Sequence, residues 1–284
     1  MQSLTIDFAG HSSVSVEECR RCGIPLGGVR ATTMDMRLRQ IALVARNLEA
    51  ARADISSVFG LDYAYVDPAV GRYGLANLVF PIGDTFLEVV SPVREGTSAG
   101  RLLEKRGGDG GYMVILQTDH LAEARDRVRA AGARIVDQKD GDGAAFTHLH
   151  PRDVGGAILS IDYMDPPDRW DWGGPRWREH INRDRVLSIT GAELQGEAPD
   201  RMAGRWAEVL GCHAERIGKT WRIGLRDSEL IFTDLRDERG EGLAAIRVVA
   251  REAAAIRQAA ERRSLVDGKG YVILCGTLIQ LVSA

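Results

Sequence analysis

One supersecondary pattern, repeated along the chain, constrains this sequence more than its composition does. "RLRQIALVA" reads as a strand, and "NLEAARADISSVFG" as a helix with Asn47 as N-cap and Gly60 as C-cap. "LDYAYVDP", "YGLANLVFPIG" and "DTFLEVVSP" then read as three antiparallel strands. A short helix, "TSAGRLLEKRG", follows with Thr97 as its cap. The order strand, helix, three strands returns in "GYMVILQT", "HLAEARDRVRAAG", "ARIVDQKDG", "AAFTHLHP" and "GAILSIDYM". It returns again from "RVLSITGAEL" to "SELIFTDL", and once more from "GLAAIRVVA" to "GTLIQLVSA". Four βαβββ units predict an α+β fold in which units pair to bury their apolar faces. The first pair is expected over residues 34–164 and the second over 184–284, joined by a Trp/Pro/Gly-rich connector over 165–183. Residues 1–33 lack a sustained period and read as a disordered tail.

Composition excludes several classes. A net charge of −3 argues against a nucleic-acid binder, and no basic patch has interleaved aromatics. No apolar run approaches the length of a membrane span. The first residues lack the charged head and apolar block of a secretory signal, so a cytoplasmic protein is the default expectation. Cys19 and Cys22 form one C-x-x-C, but a zinc site needs two further ligands and the sequence offers no second such pair. Cys212 and Cys275 sit in apolar surroundings as packing residues.

The chemistry centres on "GDTFLEVVSP". Period-two alternation puts Phe86, Glu88 and Val90 on one strand face, so a carboxylate stands between two apolar residues. Among apolar walls its pKa should rise, which suits a base that removes a proton next to a carbonyl. Pocket-lining without catalysis and metal ligation are the competing roles. His148 and His150 share a face of "AAFTHLHP" with Phe146 and suggest an ion site or an acid–base pair. His120 reads as a surface residue at a helix start. Trp170, Trp172 and Trp177 read as rings that clamp the connector to a domain face, or as a stacking platform. "GGDGG" lacks the lysine and the following helix of a phosphate loop and reads as a turn.

Three passages, "RQIALVARNLEAARADISSVFGL", "GDTFLEVVSPVREGTSAGRLLEKRGGDGGYMVIL" and "HPRDVGGAILSIDYM", resemble the vicinal oxygen chelate superfamily of glyoxalases, methylmalonyl-CoA epimerases, extradiol dioxygenases and bleomycin-resistance proteins. The resemblance implies two tandem glyoxalase-like domains, each a U-shaped sheet around a cavity. Metal-dependent members carry one ligand on each of four strands. Those places fall on Gln40, Glu88, Met113 and Ser160, of which Met113 and Ser160 suit a divalent ion poorly. In the second pair they hold Val186, Ile231, Ala245 and Gln280, which implies a structural copy or a second wall supporting the first.

The reading is a small-molecule-binding protein working without a cofactor, with Glu88 as catalytic base of a lyase or isomerase. Gln40, Phe86, Met113, His148 and Ser160 would contact the ligand. The alternatives are a binder that sequesters a drug or metabolite, and a metal-dependent glyoxalase or dioxygenase, for which Glu88, His148 and Gln40 form one conceivable set. A monomer is feasible because four units complete internally what two-unit relatives build by dimerising; a homodimer is the other expectation.

Overall fold

The computed structural model describes residues 35–284, together with a two-residue antiparallel ladder between β1 (Thr5–Ile6) and β2 (Val14–Ser15). The tail reading for residues 1–33, that ladder apart, and the Cys19–Cys22 pair lie outside the described residues.

The first pair of units begins with β3 (Met36–Val44) and α1 (Leu48–Phe59), then β4 (Leu75–Ile82) and β5 (Thr85–Pro92). The Asn47 side chain caps α1 by accepting from the Ala50 N–H at 2.9 Å, and Gly60 closes it with φ of 72°. α2 (Ser98–Lys105), capped by Thr97, leads to β6 (Gly110–Thr118) and α3 (Leu121–Ala130). The pair ends with β7 (Ile135–Gly141), β8 (Ala144–Leu149), the short α4 (Pro151–Val154) and β9 (Ile158–Met164). The second pair comprises β10 (Val186–Gly196), α5 (Pro199–Leu210), β11 (Glu215–Ile217), β12 (Thr220–Gly224) and β13 (Glu229–Asp234). It closes with β14 (Gly242–Ala250), α6 (Ala253–Arg262), β15 (Val272–Leu274) and β16 (Thr277–Ser283).

Each pair makes one seven-stranded mixed sheet, in the orders β4-β5-β3-β6-β9-β8-β7 and β11-β12-β13-β10-β14-β16-β15. Both are centred on an antiparallel pair, β3/β6 or β10/β14, flanked by parallel partners. This is the expected α+β architecture of two tandem glyoxalase-like halves. One expected strand, over residues 61–68, is reduced to the single bridge from Tyr65 to Val79, and another, over 265–274, is shortened to β15, whose Val272 bridges back to Val266. In the first case Asp67 and Pro68 open a 3₁₀ turn (Pro68–Tyr73) that diverts the chain before a ladder can form.

Two β-bulges break the strict alternation on which the sequence reading rests. Leu38 pairs with Leu116 and Gln40 with Ile115, so Arg39 is an extra residue on β3. Ala42 pairs with Met113 and Leu43 with Gly111, so Tyr112 is extra on β6. Such an insertion turns two successive side chains to one face. Arg39 thereby joins Gln40, and Tyr112 joins Met113, on the concave side, where Tyr112 and Met113 belong to one apolar cluster with Phe86, Trp170 and Trp177.

On the outer faces α1 packs against α6 and α3 against α5, and the central strands β6 and β14 come together. That approach needs Gly111, because a Cβ there would lie 2.4 Å from the Leu243 side chain. Gly111→Ala is expected to destabilise the protein by about 1–3 kcal/mol through overpacking. Urea denaturation measures this, and an unchanged midpoint would mean the two strands do not approach so closely.

Candidate functional site

The concave face of the first sheet encloses a cavity of about 850 Å³. Gln40, Glu88, Met113 and His148 line it. Phe86 does not. It is fully buried beside Trp170 and Trp177, and a Cβ on Gly173 would touch its ring, so the connector seals it off. Ser160 is also absent from the wall. It is fully buried, and its hydroxyl is turned onto Asp162.

Glu88 is 7% exposed and both carboxylate oxygens are held. Gln40 Nε2 donates to one at 2.8 Å and Asn77 Nδ2 to the other at 2.7 Å. The orientation of each amide follows from its second partner. Trp170 Nε1 donates to Gln40 Oε1 at 2.8 Å, and the Asp67 backbone N–H donates to Asn77 Oδ1 at 2.9 Å. An indole and a peptide N–H can only donate, so both amide NH₂ groups must face Glu88. Burial pushes the Glu88 pKa up while the two amide bonds pull it down, and burial prevails. The carboxylate is thus raised in energy but solvated by fixed dipoles.

A second buried carboxylate, unanticipated from sequence, lines the same cavity. Asp162 on β9 is 3% exposed and accepts from the Ser160 hydroxyl and, at 2.9 Å, from Trp172 Nε1. Its pKa is pushed up to about 7, chiefly by burial, with the Glu88 charge adding to it. The signal was present in "ILSIDYM", where Asp162 shares a strand face with Ser160 in an otherwise apolar run, as Glu88 does in its own. Asn77 in "LANLVF" is a similar omission.

Trp170 and Trp177 do clamp the connector, at 0% and 4% exposure, and enclose the Arg39 guanidinium, 5.3 Å and 5.8 Å from their ring centres. Burial and neighbouring charge lower the Arg39 pKa to about 10, leaving it a cation at neutral pH held by aromatic faces. The connector therefore also sets the site, since Trp170 orients Gln40 and Trp172 holds Asp162.

His148 on β8 lines the wall with its ring stacked on Phe146, centroids 4.4 Å apart. Burial lowers its pKa to about 4, so the imidazole is neutral at pH 7. His150 also lines the cavity, and its ring accepts from the Arg152 N–H at 3.1 Å as the cap of α4, a structural role. His120 is exposed at the start of α3, as read from sequence. Across the sheet, Arg72 and Tyr73, from the turn preceding edge strand β4, both bond Asp137 on the opposite edge strand β7, which ties the two sheet edges together.

The donors at the four chelate places suit a divalent ion poorly. The Gln40 carbonyl oxygen is occupied by Trp170, both Glu88 oxygens face NH₂ groups, Met113 offers a soft thioether, and the Ser160 hydroxyl is spent on Asp162. Among the described residues no three His, Cys, Asp or Glu side chains gather to hold an ion.

In the second sheet the register shifts the correspondence. Val186 pairs with Ala250 at the strand end, and the counterpart of Gln40 is Gly191; Glu193, opposite Ile231 and Ala245, matches Ala42, which stands opposite Glu88 and Met113. Glu193 is buried, with its carboxylate taken by Arg236 and, at 2.9 Å, by Gln280 Nε2. The second half nonetheless reaches the first cavity through Glu241, which lines it and accepts the Gly156 N–H at 2.9 Å.

This cupped sheet with an enclosed polar centre defines a class, and sequence comparison agrees with it. The chain belongs to the family of the glyoxalase-like domain, whose model matches residues 41–210, and so to the vicinal oxygen chelate superfamily. It is similar to the ethylmalonyl-CoA/methylmalonyl-CoA epimerase of Cereibacter sphaeroides, 25% identical over 132 residues, 45% of this chain and 98% of that one. It is also similar to the mitochondrial methylmalonyl-CoA epimerase of Bos taurus, 25% identical over 129 residues, 44% of this chain and 73% of that one. In fold it resembles a mutant 4-hydroxymandelate synthase from Streptomyces coelicolor, with TM-score 0.60, 12% identity and coverage of 82% and 76%. A hypothetical protein from Staphylococcus aureus also has TM-score 0.60, with 10% identity and coverage of 88% and 99%.

Two predictions follow from the geometry. Trp170→Phe removes the donor that fixes Gln40, which frees the amide to turn its oxygen toward Glu88. The Glu88 pKa should then rise further, as read by carbon-13 NMR titration; an unchanged value would contradict the relay. Asp162 keeps a proton in the native state between the ordinary carboxyl range and about pH 7 that the unfolded chain has lost. Its contribution to stability must therefore fall as pH rises through that window. Asp162→Asn should flatten this slope in urea denaturation between pH 4 and 8 relative to the wild type.

Proposed function

We propose that this chain binds a small acyl compound in the cavity of its first sheet and moves a proton at the carbon next to a carbonyl. Glu88 is the base, and no divalent metal takes part. The observation that carries this reading is the pair of buried carboxylates, Glu88 and Asp162, in one cavity, both shifted upward by burial. A base works best with a pKa near the operating pH, and burial supplies that shift. In proton removal the C–H electron pair moves into the carbonyl, giving an enolate, and the proton passes to Glu88. Asp162, which is partly protonated near pH 7, supplies a proton to the carbon when the enolate collapses.

The relatives named for CoA-ester epimerisation support an acyl thioester as the substrate class. Charge at the rim agrees with a ligand bearing an anionic tail. The rim acids are engaged, Asp67 in capping its turn, Asp137 by Arg72 and Tyr73, and Glu241 by Gly156. Lys105, Lys139 and Arg152 also line the cavity and pair with no carboxylate among the described residues. One observation favours a second reading, non-catalytic sequestration: both Glu88 oxygens already have internal partners, which suits a fixed polar anchor as well as a base.

Deuterium wash-in from D₂O into methylmalonyl-CoA, followed by mass spectrometry, separates the two. Proton transfer predicts exchange that Glu88→Gln slows by about 10²–10⁴-fold, the usual size of a general-base contribution. Tight binding without exchange would support sequestration, and neither binding nor exchange would contradict both readings.

A further inference from the structure

We infer that His148 is the catalytic hydrogen-bond donor that stabilises the enolate oxygen. This rests on the proton-transfer reading above and adds a residue to it. Removing a proton next to a carbonyl places negative charge on oxygen, and a donor already in place meets that charge without reorganisation.

Lys105, Lys139 and Arg152 are set against the anionic tail at the rim, Arg72 donates to Asp137, Arg101 to the Gly96 carbonyl, and His150 caps α4, which leaves the donors of the inner wall. The amide NH₂ groups of Gln40 and Asn77 are directed at Glu88. Trp172 Nε1 and the Ser160 hydroxyl are directed at Asp162. Tyr73 donates to Asp137, and the Tyr112 hydroxyl is bonded to Ser98 at 2.7 Å. His148 has no hydrogen-bond partner among the described residues, and its ring is held by stacking on Phe146 and a tilted contact with Tyr73.

Its place on the sheet is also suitable. His148 pairs in register with Ser160 on β9, and Phe146 with Asp162, so His148 and Asp162 are diagonal neighbours on the cavity face. Glu88 stands on β5, beyond β3 and β6 in the same cupped sheet. A carbonyl compound between the carboxylates would therefore have His148 on the Asp162 side. The imidazole is neutral at pH 7, with one ring N–H to donate and no cationic charge to be lost by giving up a proton to either acid. The step balances: the C–H proton goes to Glu88, the electron pair becomes the enolate, and the His148 N–H stays covalently intact while hydrogen-bonding the oxygen.

The test uses the full chain and methylmalonyl-CoA as probe. His148→Phe keeps an aromatic ring against Phe146 but removes the donor. Its exchange kcat should fall about 10²–10³-fold with KM little changed, the size expected for one oxyanion donor. His148→Asn restores an N–H and should recover part of the loss; equal loss in the two variants would assign the effect to packing and overturn the proposal. Wild-type rates in His148→Phe, with exchange still lost in Glu88→Gln, would overturn it while leaving the base assignment intact. No exchange by the wild-type protein would remove the proton-transfer reading and this proposal together. Nitrogen-15 NMR of the unsubstituted protein gives a check independent of turnover and of variant folding: one ring N–H at pH 7 is expected, and a doubly protonated ring would overturn the proposal.

Discussion

The site depends on a chain of hydrogen bonds with one direction. It runs from the Trp170 indole through the Gln40 amide to Glu88, and meets a second run from the Asp67 backbone through Asn77. Each outer member can only donate, so neither amide can turn over without placing two donors, or two acceptors, face to face. A buried carboxylate without such partners would take up a proton or cost several kcal/mol. With them it stays in an apolar cavity with its charge opposed by fixed dipoles, which is the condition for a reactive base or a rigid anchor.

This arrangement also gives the connector a structural reason for its composition. Trp170 and Trp177 bury large rings, enclose the Arg39 cation and exclude Phe86 from the cavity. Trp172 then reaches Asp162 from the same segment. The second half supports the site from outside. Arg106 donates to the carbonyls of Gly240 and Glu241, and Arg239 to those of Asp109 and Gly276, across the β6–β14 junction. Those bonds fix the loop that carries Glu241 to the cavity, so the degenerate copy acts as scaffold while its own Glu193 is neutralised by Arg236.

Much of this was legible in the sequence, for identifiable reasons. The repeat order and the caps at Asn47, Gly60 and Thr97 depend on local periodicity and short-range hydrogen bonds, which a sequence displays directly. The inward Glu88 followed from a carboxylate on an apolar strand face, and the same rule applied to "ILSIDYM" would have found Asp162. What escaped depends on long-range or irregular geometry. The bulge at Arg39 resets the alternation without a glycine or proline to mark it, and Gly111 beside the bulge at Tyr112 reads equally well as part of a turn. Phe86 obeys the period but lies under a connector whose path no local pattern dictates. The Trp170–Gln40 bond joins residues 130 positions apart, and the placement of Val186 failed because β10 is long enough to slide the register.

Neutron diffraction from deuterium-exchanged crystals addresses the central claim most directly, because it distinguishes amide nitrogen from oxygen and locates deuterons. The hydrogen-bond chain requires the Trp170 N–D to point at Gln40 Oε1 and the ND₂ groups of Gln40 and Asn77 both to point at Glu88. An amide oxygen facing Glu88, or a metal ion lodged against that carboxylate, would contradict it.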